Sequence, residues 1–164
     1  MLSKNLEKNL KGVAGVHFVV AQLSLRGFVA LPTIRNIKSF DIIAFQPNLS
    51  KVFFLQVKST DKPKSGWPVY TVPRNENWQK DLKKSVSLGN NSFYIFVELP
   101  IRDRLEPDFY IVPSRDVVDM LIKLVIRAWQ GEKPQPAKHL LAWGYGGLEP
   151  EIKKKYRNRW ELLT

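Results

Sequence analysis

Two runs, SFDIIAF (residues 39–45) and KVFFLQVKS (51–59), with QPNLS (46–50) between them, decide how this chain folds. Both are rich in β-branched and aromatic residues, and the segment joining them is turn chemistry, so they read as an antiparallel hairpin. Strand alternation then places Gln56 and Lys58 on one face and Val57 on the other. Asp41 is the exception inside the first run. A carboxylate buried there without a partner costs several kcal/mol, so it calls for a cation, a set of N–H donors or solvent. The hairpin can bring Asp41 opposite Gln56 and Lys58.

The flanking segments supply the rest of a single α/β domain. Residues 4–26 carry Leu6, Leu10, Val13, His17, Val20 and Ala21 at three- and four-residue steps, an amphipathic helix with its apolar side toward the core, stopped by Arg26-Gly27. FVALPTIR (28–35) is an edge or bent strand because of Pro32. After a proline-rich loop (61–74), with a short strand at 68–72, residues 76–88 form a second helix. SFYIFVEL (92–99) and PDFYIVP (107–113) are further strands, and Ser114 is placed to cap a helix running to about Trp129. The order αβββαβ calls for a mixed central sheet between helices. Residues 1–130 make this domain, and 131–164 make a linker followed by a basic, aromatic segment that packs on it.

Composition narrows the function. The 164 residues suffice for one core, and zero cysteines and two histidines exclude disulfides, thiolate chemistry and multi-histidine metal sites. No apolar run is long enough to span a membrane, and the first residues lack a secretory signal, so the expected location is the cytoplasm. A net charge of +11 points to a polyanionic partner. The excess lies at the two ends: residues 1–60 hold eight bases and two acids, and residues 138–164 hold six and three.

An acid, then a carboxyl or amide, one hydrophobic residue and a lysine on adjoining strands, resembles the PD-(D/E)XK nuclease superfamily, in its restriction-endonuclease-like and Holliday-junction-resolvase-like branches. The resemblance runs from Gly12-Val13-Ala14-Gly15 through Phe40-Asp41-Ile42-Ile43-Ala44 and Leu55-Gln56-Val57-Lys58-Ser59 to Phe109-Tyr110-Ile111-Val112-Pro113-Ser114. It implies a three-layer restriction-endonuclease-like fold and a DNA endonuclease dependent on Mg²⁺ or Mn²⁺. Asp41, Gln56 and the Val57 carbonyl would hold the metal, and Lys58 would orient or deprotonate the attacking water and stabilise the developing charge. A symmetric homodimer would serve to cut both strands, and a partner protein could supply specificity.

The chain departs from the family pattern twice. Gln56 stands where Asp or Glu is usual, and Val16 stands where the first helix commonly carries Glu. Asp41 is then the single carboxylate of the site, unless Glu76 or Asp81 from the second helix supplies another. The alternative reading is a nuclease-like module that binds DNA or protein without cutting. Gln79, Lys80, Lys83 and Lys84, and in the tail Lys153, Lys154, Lys155 and Arg157, are candidate phosphate contacts; each set reads equally well as a solvated helix face.

Overall fold

The computed structural model describes residues 3–33, 40–48, 50–61, 67, 69, 76–87, 89–100, 106–130 and 150–164. Of the expected strand at 68–72 only Val69 is described, in no strand, and the expected linker 131–139, with the residues that follow it to 149, lies outside the described set. Five strands, β1 (Val29–Pro32), β2 (Ile42–Phe45), β3 (Val52–Thr60), β4 (Ser92–Glu98) and β5 (Asp108–Pro113), form one sheet in sequence order. All neighbours are antiparallel except β3 and β4, which run parallel. That pair is joined through α2 (Trp78–Val86), as a parallel connection requires a crossover. Helices α1 (Lys4–Ser24) and α3 (Ser114–Gln130) lie on opposite faces. The result is a mixed sheet with helices on both faces.

Alternation along each strand feeds two cores. On the α1 face, Ile42, Ala44, Phe53, Leu55, Val57, Ile95 and Ile111 pack with Val19 and Leu23. On the other face, Tyr94, Phe96, Tyr110 and Val112 pack with Leu82, Val86 and Leu121. Trp67 is fully buried there, its ring against Phe96 and Tyr110, and its indole N–H donates to the Val97 carbonyl at 3.3 Å. Ser114 opens α3, and its hydroxyl lies 2.5 Å from that of Ser92.

The orientation of α1 corrects the expectation from its periodicity. Leu6, Leu10 and Val13 are 44%, 49% and 38% exposed, and His17 and Ala21 also face outward. The buried side carries Gly15, Val19 and Leu23, with Val16 and Phe18 partly buried. The reason is the approach of the helix to β3. A Cβ on Gly15 would sit 2.6 Å from the Ser59 Cβ, and the Ser59 hydroxyl donates to the Lys11 carbonyl at 2.8 Å. Only a residue without a side chain allows that contact. Gly15→Ala should therefore cost about 1–3 kcal/mol, read as a lower thermal midpoint, and Ser59→Gly in the same chain should recover most of it. An unchanged midpoint for Gly15→Ala would contradict this packing.

The C-terminal residues close the sheet from the α1 side. Trp160 and Leu163, in a short 3-10 helix (Trp160–Leu163), are buried in that core. The Trp160 ring lies 5.3 Å from Phe109 and beneath the Arg26 guanidinium at 4.8 Å. The preceding helix α4 (Pro150–Tyr156) is tied to β5 by the Asn158 N–H, which donates to the Phe109 carbonyl at 2.8 Å.

Candidate nuclease centre

β2 leaves its ladder with β3 at Ile42, which pairs with Leu55, and Asp41 is the first residue beyond. Its backbone still holds to both neighbours: the Asp41 N–H donates to the Leu55 carbonyl, and the Asp41 carbonyl accepts from the Thr33 N–H, each at 2.8 Å. The side chain is thereby delivered to β3. Asp41 Oδ2 accepts from the Val57 backbone N–H at 2.7 Å and from Gln56 Nε2 at 2.5 Å. A carboxylate here does the work a backbone carbonyl would do if the ladder continued. The sequence pointed to Asp41 and Gln56 together; the Val57 N–H as donor was not foreseen, since hydrophobic patterning carries no signal for it.

Burial dominates the electrostatics. Asp41 is partly buried, and desolvation raises its carboxyl above the ordinary value, opposed by the Val57 N–H and by the charge of Lys58. Lys58 shifts downward, again chiefly by desolvation; Asp41 counteracts this, and Lys8 on α1 adds to it. The Tyr94 hydroxyl, on β4 opposite Gln56, is raised by burial and by Asp41. Each charge of the pair is thus incompletely compensated by the protein.

An oxygen-seeking cation fits such a place. Asp41 offers a desolvated carboxylate and Gln56 an amide oxygen, and extended-strand geometry turns the Val57 carbonyl to the same side of β3 as its N–H. The set is thin. Among the described residues no three Asp, Glu or His side chains converge. Glu76 is exposed on the approach to α2, Glu7 pairs with Lys11 at 2.6 Å, and Val16 packs into the core on the α1 face.

The candidate phosphate contacts divide. Gln79, Lys80, Lys83 and Lys84 are exposed on α2, opposite the buried Leu82 and Val86. In the tail, Lys153 bonds the buried Glu98, Arg157 pairs with Asp108 at 2.7 Å, and Lys155 lies 3.7 Å from Asp116, while Lys154 is exposed. Glu98, only 5% exposed, also accepts from the Tyr110 hydroxyl at 3.2 Å. These acids hold α4 to the sheet and draw on the charge the tail can offer to phosphates. Lys153→Met should lower stability by about 3 kcal/mol, because it strips a cation from a buried carboxylate, and should leave DNA affinity within about twofold. A large affinity loss with unchanged stability would reverse that assignment.

No family model matches the chain, and no curated protein sequence does. Among solved structures, the Holliday junction resolvase Hjc of the archaeal hyperthermophile Archaeoglobus fulgidus is similar at 15% identity and a TM-score of 0.38, over 64% of this chain and 74% of that one. The bacterial homing endonuclease I-Ssp6803I is similar at 17% identity and a TM-score of 0.48, over 99% of this chain and 92% of that one. No helix among the described residues is long and apolar enough to cross a membrane.

Proposed function

We propose that the chain is a metal-dependent DNA endonuclease that hydrolyses phosphodiester bonds at Asp41, Gln56, Val57 and Lys58. The observation that carries the proposal is the junction of Asp41 with Gln56 and the Val57 N–H, beside a lysine whose charge is held in a desolvated place. Mg²⁺ or Mn²⁺, when bound, would supply Lewis acidity toward the phosphate and a more acidic water. The chain's own residues do the remainder. Asp41 fixes the cation's place, Gln56 and the Val57 N–H hold the carboxylate in one orientation, and Lys58 orients the water and offsets charge developing on the phosphate. The exposed lysines of α2 and the +11 net charge favour capture of a DNA backbone. A second copy or a partner protein would provide the second cut or the specificity.

A second reading, a module that binds DNA without cutting it, is favoured by one observation: position 16 carries a partly buried valine packed against the core, so α1 brings no carboxylate to Asp41 from there. Supercoiled plasmid separates the two. The nuclease reading expects nicked and linear DNA with Mg²⁺ or Mn²⁺, and intact DNA in EDTA. Salt-sensitive binding with no cleavage under either ion supports the module instead.

A further inference from the structure

Beyond Asp41 one edge of β3 is open. Among the described residues β2 begins at Ile42, and no strand continues beside residues 57–60 on that side. The Leu55 carbonyl and the Val57 N–H both bond Asp41 there, so alternate residues of β3 turn their peptide groups to this edge. The residues between them turn to β4: the Phe54 N–H donates to the Asn91 carbonyl at 3.0 Å, and the Thr60 carbonyl accepts from the Leu99 N–H at 2.8 Å. Ser59 is the next to face the open edge, about 6.7 Å past Val57. Its N–H has no hydrogen-bond partner among the described residues, and the residue is partly buried. Such a backbone donor calls for an acceptor.

Two cations flank that donor from different elements. Lys58 adjoins it on β3, and Lys8 approaches from α1. Lys8, Gly12 and Gly15 share one side of the helix, at steps of four and three residues, and it is the side that Gly15 brings against Ser59. The helix is held there by Lys11, whose carbonyl accepts from the Ser59 hydroxyl and whose ammonium pairs with Asp61 at 2.8 Å. Lys11 is thus occupied, whereas Lys8 is exposed and has no ion pair among the described residues. Desolvation shifts Lys58 downward, and the charge of Lys8 adds to the shift, as a neighbouring cation does. We infer that Lys8, the Ser59 N–H and Lys58 seat the phosphate being cut, so that Lys8 is a further substrate-binding residue of the centre. The inference rests on the nuclease reading of Asp41 and Lys58. Val57 packs into the α1 face, so Lys58 leaves β3 on the opposite face, and the two ammonium groups come from opposite sides of the sheet. A tetrahedral phosphate offers oxygens in several directions and can meet both, with the N–H between them in the plane of the sheet. Lysine and backbone N–H groups are ordinary partners of nucleic-acid phosphates.

Two measurements on the full chain test the seat. The first follows acetylation of individual lysines by mass spectrometry in EDTA, with and without plasmid DNA. Bound DNA should slow the reaction of Lys8 at least about fivefold and leave Lys123, exposed on α3, unchanged. The second is single-turnover cleavage with Mn²⁺ at saturating DNA. Lys8→Met should cut at least about tenfold more slowly, because the lost charge acts on the phosphate as it reacts. Lys8→Arg, which restores the cation, should recover most of the rate, and Lys123→Met should match the wild type. Protection of Lys8 no greater than that of Lys123 overturns the inference. So does a Lys8→Met chain that binds less tightly yet cuts bound DNA within about threefold of the wild-type rate, which would place the Lys8 contact at another phosphate. If the wild type cuts no DNA, the nuclease reading fails, and the acetylation pattern alone decides whether the phosphate seat stands.

Discussion

Lys58→Ala should slow DNA cleavage by about 10³-fold while the chain stays folded and bound to DNA. A positioned acid–base or charge-offsetting group contributes typically 10²–10⁴ in rate, and Lys58 is the cation coupled electrostatically to Asp41 across the hairpin. Its loss removes at most one phosphate contact, so the salt dependence of binding should change by about one unit or less. Lys58→Arg should recover little, since a planar guanidinium does not replace a compact ammonium in a desolvated place. Lys80→Ala on exposed α2 serves as the contrast, weakening binding slightly and sparing the rate of bound DNA. Cleavage by Lys58→Ala within tenfold of the wild type would remove Lys58 from the chemistry.

The second large effect is a gain in stability. The Asp41→Asn/Lys58→Met pair should raise unfolding stability in EDTA by about 1–2 kcal/mol at pH 7, because two partly buried, desolvated charges are being replaced by neutral groups of similar size. That is about 2–8 °C in thermal midpoint for a chain of this size. The pH dependence has a definite sign. The folded state raises the Asp41 carboxyl above its unfolded value, so the protonated form is favoured, and its stability contribution is lost as pH rises through the folded value. The folded state lowers Lys58, so ionising it costs stability until pH rises through the interval between its folded and unfolded values. The single variant Asp41→Asn should therefore match the wild type near pH 3, where both side chains are neutral, and exceed it once Asp41 ionises. Urea unfolding at a series of pH values measures this. An Asp41→Asn deficit at neutral pH would mean that the carboxylate stabilises the fold.

Much of the fold was legible because its decisive segments are local. Alternation in the runs at 39–45 and 51–59, with turn residues between them, was enough for the hairpin, and the mixed sheet follows from a helix interposed before β4. The boundaries shifted where tertiary contacts decide them, as at Asp41, whose side chain takes the place of a ladder partner. The face of α1 was not legible. Both of its sides carry apolar residues, and the choice between them is made by Gly15 meeting Ser59, 44 positions along the chain. The partners of the tail were not legible either: Glu98, Asp108 and Asp116, which pair with Lys153, Arg157 and Lys155, lie 39 or more positions away in sequence. Of the site, the pairing of Asp41 with Gln56 was visible from strand register.

Single-turnover cleavage of labelled DNA by the wild type and Asp41→Asn, with Mn²⁺ in excess, tests the central claim most directly. Asparagine keeps an oxygen for the Gln56 and Val57 N–H groups but withdraws the negative charge offered to a cation. Wild-type cleavage should require the ion, and Asp41→Asn should cut at least about 10²-fold more slowly at equal DNA binding. Equal rates for the two proteins, or wild-type cleavage undiminished by EDTA, would contradict it.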